Sequence, residues 1–342
     1  MKWKGVYAIA TSLIWNAQSL NILSRDHFIR SSLLGAVGIT VFPANRSTAA
    51  AQVTLPQVTL PLLFLPKGGC LALSVVLDDA FRYYAIVDTG SPFLTAPSDA
   101  LDYSKDASRQ FPMSNEQYGE TVGGMQWRRS HVVRAGSAGG LSVSNMVLGV
   151  SPANVIDDTG GIFCGLMVQD DARPTVLQQL GYSSFALDYR AQQLLLSQDE
   201  LLHGNDLSTS LPIFDLTPFG PNLHHFAVSC QQVTLQTSKG VIRLDNLKRP
   251  VVVVLDSGLT GCIFSDSWLE DLPVRLDDIE GARLQVGSTI LTSHPEHWRL
   301  SCYRFPWFVS EEHHPHIIAA GATFLNGMKL TVDSRTKRLL LQ

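Results

Sequence analysis

The amino-acid sequence predicts an all-β chain of two similar barrel-like lobes with a cleft between them. Three observations carry this. Short apolar or alternating runs recur along most of the chain, punctuated by Gly and Pro. Helical periodicity is nearly absent, Thr175 to Leu180 being the clearest helical piece. And two segments repeat one design, 168 residues apart: Ala85-Ile86-Val87-Asp88-Thr89-Gly90-Ser91 and Val253-Val254-Leu255-Asp256-Ser257-Gly258-Leu259. Each puts an acidic residue at the mouth of a β-branched run, then a hydroxyl residue, then glycine.

With 342 residues, 45% hydrophobic and 16% charged, the chain can build two real cores. Residues 1–51 carry five basic residues and one acidic residue, so the remainder carries a net −8. A body that acidic excludes nucleic acid as an expected partner. The five cysteines include no Cys-x-x-Cys pair, which argues against a structural zinc site. Their number is odd, so at least one thiol stays free or pairs between chains. Cys164 and Cys262 lie in apolar surroundings, as small core residues do. One or two disulfides are open to the rest.

Residues 1–51 read as a targeting leader. Lys2 and Lys4 precede the apolar Val6 to Trp15, and Arg25 and Arg30 precede a second apolar block, Ser31 to Phe42. The second block ends in Ser47-Thr48-Ala49-Ala50-Ala51, small residues suited to a signal peptidase. Neither block reaches the roughly 20 apolar residues of a membrane span, so no stable span is expected. The expected destination is the secretory pathway or the exterior. A tandem leader also resembles bipartite plastid presequences, which makes the plastid, including the thylakoid lumen, the alternative. Asn45-Arg46-Ser47 is the one glycosylation sequon and falls in this leader.

From Gln52 onward, strands are expected at Leu71 to Leu77, Tyr83 to Val87, His131 to Val133, Leu141 to Leu148, Phe185 to Tyr189, Leu194 to Leu196, Val233 to Leu235 and Val241 to Leu244. Ser197 to Pro212 is polar and turn-rich, as a link between lobes would be. The expected division is a leader at 1–51, an N-terminal lobe at 52–200 and a C-terminal lobe at 201–342.

In this order, the segments resemble pepsin-like aspartic proteases, with features nearest the plant nepenthesin-type branch. Asp88-Thr89-Gly90-Ser91 resembles the first active-site motif and Asp256-Ser257-Gly258 the second. Gln117-Tyr118-Gly119-Glu120-Thr121-Val122-Gly123-Gly124 resembles the flap hairpin, whose tyrosine overhangs the cleft. Gly161-Ile162-Phe163-Cys164-Gly165-Leu166 and Ala319-Ala320-Gly321-Ala322-Thr323-Phe324 resemble the segments that brace the two motifs. Val176-Leu177-Gln178-Gln179-Leu180-Gly181 with Ser184-Phe185-Ala186 resembles the helix and strand that follow the first brace. Leu330-Thr331-Val332-Asp333 and Arg338-Leu339-Leu340 resemble the closing strands.

The resemblance implies an aspartic endopeptidase. Hydrolysis without a metal or a covalent nucleophile needs an activated water: one carboxylate takes its proton while a neighbouring carboxylic acid donates to the carbonyl. Asp88 and Asp256 are the implied pair, sharing one proton because two close carboxyls do not readily both ionise. Gly90 and Gly258 let the backbone turn tightly beside them. Thr89 and Ser257 are expected to bond across the lobe interface, and Ser91 to donate to Asp88. Tyr118 and Gly119 belong to the flap that closes over a polypeptide substrate. No cofactor and no metal are expected, and the protein is expected to be a monomer.

Departures from the pattern keep an alternative open: a weak or inactive relative that binds peptide or protein without cutting it. Leu259 stands where the family usually has Thr or Ser, and Thr95 where pepsins have a tryptophan that bonds the flap tyrosine. Ala322 replaces an acidic residue, a change expected to move the pH optimum toward neutral. Little chain separates Ala51 from the first strand, so no conventional propeptide is expected. Phe93 and Ile263 are expected to line subsites. Glu311-Glu312-His313-His314-Pro315-His316 lacks metal-ligand spacing and reads as a solvated loop, His224-His225 as a surface or strand-edge pair, and Arg128-Arg129 as a solvated strand end.

Overall fold

The computed structural model describes residues 56–107, 109–111, 125–136, 140–150, 162–169, 173–220, 224–245, 247–303 and 314–342. Residues 1–51, expected to be a leader, and the segment expected to be a flap, with Tyr118 and Gly119, lie outside these residues. Strands dominate the described chain, and its longest α-helices span five residues. Among the described residues, no helix is long and apolar enough to cross a membrane.

One eight-stranded sheet builds the N-terminal lobe. Its main path runs Thr95–Ala96, Leu141–Val150, Gln126–Ala135, Cys70–Leu77, Phe81–Asp88, Phe163–Gly165. The sheet nearly closes on itself. Gly149 donates to Leu94 O at 2.9 Å and Gly165 donates to Phe93 O at 3.0 Å, so one extended segment is bonded on both sides. The turn between Cys70–Leu77 and Phe81–Asp88 holds Asp78 and Asp79 at φ 49° and 58°. Short acidic side chains tolerate that conformation. Asp78 Oδ1 accepts from Val132 N at 2.7 Å and Ser130 Oγ at 2.9 Å, tying the turn to the neighbouring strand.

The C-terminal lobe uses two sheets. One orders Ala227–Cys230, Val251–Leu255, His316–Ala320, Cys262–Ser265 and Leu300–Tyr303; the other orders Gly240–Leu244, Gln232–Thr237, Ile279–Val286 and Thr289–Thr292. Val251–Leu255 is buried at every residue and parallel to His316–Ala320. A strand covered on both faces reads as a continuous apolar run rather than an alternating one, which explains the sequence Val-Val-Val-Val-Leu.

A six-stranded sheet joins the halves. Gln57–Pro61, Gln193–Ser197 and Ser184–Asp188 come from the first half, and Lys329–Asp333, Arg338–Leu341 and Leu211–Pro212 from the second. The junction is antiparallel, Phe185 opposite Val332. The polar stretch before Pro212 forms a short helix, Asn205–Thr209, and then rejoins this sheet at its edge. The helix Val176–Leu180 starts on a capping box between Thr175 and Gln178 and stops at Gly181, whose φ is 73°.

Several expectations are corrected. Phe93 and Ile263 are buried at 1% and 2% exposure: Phe93 meets Trp127 edge-on at 5.0 Å, and Ile263 sits in an apolar cluster with Leu259 and Val254. Both are core residues. His225 is also buried rather than a surface residue. His316 is not in a solvated loop. It opens a central strand, fully buried, with Nδ1 2.9 Å from Ser267 Oγ and Nε2 2.8 Å from Asp271 Oδ2. All five cysteines are free thiols.

Candidate active site

Each acidic motif ends a strand whose parallel neighbour supplies the brace. Asp88 closes Phe81–Asp88 opposite Gly165, and Leu166 N donates to Asp88 O at 2.8 Å. Asp256 follows Val251–Leu255, which ends opposite Ala320, and Asp256 N donates to Ala320 O at 3.0 Å. The glycine of each brace is a spatial requirement. A Cβ on Gly165 would collide with Ser91 O, and one on Gly321 with Leu259 O. Two strand ends of the same construction thus deliver two carboxylates from opposite halves of the chain.

Reciprocal bonds fix the two motifs together. Thr89 N donates to Ser257 Oγ at 3.0 Å, and Ser257 N donates to Thr89 Oγ1 at 2.9 Å. The hydroxyls reach further: Thr89 Oγ1 donates to Leu255 O and Ser257 Oγ to Val87 O, both at 2.7 Å. Each hydroxyl therefore accepts one bond and donates another, which a residue without a hydroxyl cannot do. All four residues of the two Asp-hydroxyl pairs are fully buried.

The glycines that follow bring the carboxylates close. Gly90 N donates to Asp88 Oδ1 at 2.7 Å, and Gly258 N to Asp256 Oδ1 at 3.1 Å. A Cβ on Gly90 would lie 2.7 Å from Asp256 Cγ, and one on Gly258 2.5 Å from Asp88 Cγ. Each glycine therefore leaves room for the opposite carboxylate.

Burial, then the charge of Asp256, hold the Asp88 carboxyl well above the usual carboxylate range. A side-chain hydrogen bond with Asp256 adds to the rise, while the Gly90 amide and the Ser91 hydroxyl pull the other way. Ser91 Oγ and Asp88 Oδ2 are both buried, and neither makes a well-aligned hydrogen bond among the described residues. A carboxyl kept protonated beside a second carboxyl, with one oxygen left over, is equipped to donate a proton and to hold a polar reactant. Beneath the pair, burial and the bordering acidic charges push the thiols of Cys70 and Cys164 up to about 12. Both thiols stay neutral, with no nucleophilic character at ordinary pH.

The departures acquire physical meaning. Thr95 is fully buried; its Oγ1 accepts from Phe163 N at 2.6 Å and donates to Phe163 O at 3.4 Å, so it fixes the first brace. Leu259 is 3% exposed within the cluster of Val254, Ile263 and Ala319. Ala322 is buried, and its amide donates to Leu259 O at 2.6 Å. Arg128 pairs at 3.2 Å with Asp106, its partner on the neighbouring antiparallel strand Lys105–Asp106. An apolar pocket of the N-terminal lobe, lined by Leu73, Val75, Leu94, Met146 and Leu180, is not this site.

No protein-family model and no curated protein matches the chain by sequence. Among solved structures, the crystal structure of the aspartic proteinase from Irpex lacteus superposes with a TM-score of 0.55, over 83% of this chain and 96% of that one, at 15% identity. The fold is pepsin-like. That likeness is one of architecture, bilobal and all-β, and it gives no support to a nepenthesin-type branch. Within a pepsin-like fold, what the site can do has to be argued from its own residues.

Proposed function

We propose that this protein is an aspartic endopeptidase that hydrolyses peptide bonds with a water activated between Asp88 and Asp256. One observation carries the reading: two buried carboxylates from different halves of the chain meet across reciprocal Thr89–Ser257 bonds, close enough that one stays protonated. In the reaction, the ionised member takes the proton of the water as it attacks the carbonyl carbon, and the protonated member donates to the carbonyl oxygen. On collapse of the tetrahedral intermediate, the member that took the water's proton gives it to the leaving amine, the other takes back the hydroxyl proton, and the pair again holds one proton, ready for another water. Thr89, Ser257, Gly90 and Gly258 hold the two groups in place; Ser91 borders Asp88. Tyr118 and Gly119 are proposed to cover the substrate.

The substrate is an extended polypeptide taken by a single chain, and the acidic body speaks against nucleic acid as a partner. The proposed setting is outside the cytosol, reached through the leader at 1–51. The rival reading, a binding protein without activity, draws on Leu259, which offers Asp256 no hydroxyl.

Unfolded casein incubated with the mature protein between pH 3 and 7, with and without pepstatin, tests the proposal. Cleavage that stops with pepstatin and in Asp88→Asn supports it. Casein retained but uncut across that range would overturn it in favour of the binding protein.

A further inference from the structure

A second cluster of chemically capable side chains lies away from the acidic pair. His294, Glu296 and His297 flank and form a single 3-10 turn, Pro295–His297. Their candidate ligand atoms all fall within 4.8 Å of one another. We propose that these three residues bind a divalent transition-metal ion of the zinc class.

The donor set suits such an ion. Two imidazoles and one carboxylate are borderline-soft and anionic in the proportion zinc takes, with a fourth position left for water. His294 Nδ1 is buried with no hydrogen-bond partner among the described residues, a lone pair or proton left unanswered. A metal bond answers it. The rings of His294 and His297 lie 5.4 Å apart, tilted by 30°.

The backbone is fixed before any ion arrives. His294 N donates to Thr323 O at 2.8 Å and to Thr323 Oγ1 at 3.1 Å, and Thr323 Oγ1 donates to His294 O at 3.0 Å. On the other side, His297 packs against the N-terminal lobe. Gly69, at φ 67°, lies so near that a Cβ there would sit 2.8 Å from the imidazole, and Phe64 meets the ring edge-on at 6.5 Å. Glu296 is exposed and gives the ion an approach from solvent. Arg299 opposes the ion's charge, but it is exposed and its guanidinium turns to the Trp298 carbonyl at 2.7 Å. A bound ion would therefore brace the turn where it lies beside the seam between the Phe64–Gly69 segment and the C-terminal lobe, independently of any proteolysis.

Titration of the chelator-stripped full chain with zinc chloride, followed by calorimetry and by the thermal midpoint, tests the site. One zinc per chain and a raised midpoint are expected. Glu296→Gln changes only an exposed group, and His294→Ala removes an imidazole from a turn held by its backbone. Each should weaken zinc binding at least about tenfold, since losing a ligand costs no less than losing the groups that orient one. Absence of saturable zinc binding overturns the proposal. Affinity unchanged in both variants overturns it too, because the ion then sits elsewhere.

Discussion

Thr89 and Ser257 each accept the other's backbone amide while donating to a strand carbonyl, 2.7 to 3.0 Å in every case. Four bonds made by these two fully buried residues, two between them and two to Leu255 O and Val87 O, fasten the halves of the chain beneath the carboxylates. Ser257→Ala leaves the Thr89 amide buried without an acceptor, which costs about 1–3 kcal/mol before the second lost bond is counted. Thr89→Val leaves the Ser257 amide in the same condition. Thr89→Ser keeps the hydroxyl and should stay near wild type. In denaturant titrations the two damaging substitutions are expected to combine non-additively, because they break one network.

Gly90→Ala and Gly258→Ala should spare the fold and damage the site. The new methyl would press on the opposite carboxylate, at 2.7 Å from Asp256 Cγ in one case and 2.5 Å from Asp88 Cγ in the other. Relief requires the carboxylates to part. A displacement near 1 Å costs on the order of 10²-fold in rate. Casein turnover should fall about that far in each variant, with the circular-dichroism spectrum preserved. Unchanged turnover would mean that the two carboxyls do not work as a pair.

The raised Asp88 makes a prediction about stability, and its sign is opposite to that of a salt-bridged carboxylate. A folded pKa above the unfolded value of 3.8 means the native state holds a proton that the unfolded chain releases. Below pH 3.8 the group contributes nothing. As pH rises beyond it, the native state loses stability relative to the unfolded chain. Asp88→Asn cannot ionise, so it should be more stable than wild type at pH 7 and indistinguishable from it near pH 3. Chemical denaturation at the two pH values measures the difference. A variant less stable than wild type at pH 7 would show that the carboxylate is not strained by its surroundings.

Much of this was legible from residue patterns because the two motifs and their braces are local in sequence. Eight expected strands overlap observed ones, and the capped helix at Val176–Leu180 begins where Thr175 and Gln178 announce it. What escaped depends on contacts between distant segments. Phe93 and Ile263 flank the motifs in sequence but point into cores assembled from other strands. His316 ends a run of charged and imidazole side chains, yet the parallel pairing with Val251–Leu255 buries it. The role of Thr95 as a clamp on Phe163 spans 68 residues, beyond any local pattern. His294, Glu296 and His297 did carry a local signal, two imidazoles and a carboxylate within four positions, but the burial of His297 against Gly69 comes from the other lobe.

Acid should weaken this protein at His225, in opposition to the gain at Asp88. Burial, with the charge of His224 second, pushes its pKa down to about 4, against 6.5 for a free imidazole. A depressed imidazole leaves stability intact above 6.5. As pH falls from 6.5 toward 4 the unfolded chain takes up a proton that the native state refuses, and about 3 kcal/mol is lost across that window. His225→Gln removes the titration, so its stability should vary less between pH 6.5 and 4 than that of wild type, whatever its value at pH 7. This bears directly on the casein assay, whose acid limb then mixes two causes. If turnover falls below pH 4 together with the near-ultraviolet circular dichroism, and His225→Gln carries both further into acid, the limb belongs to unfolding at His225. If turnover falls while the spectrum holds, it belongs to Asp88 and Asp256.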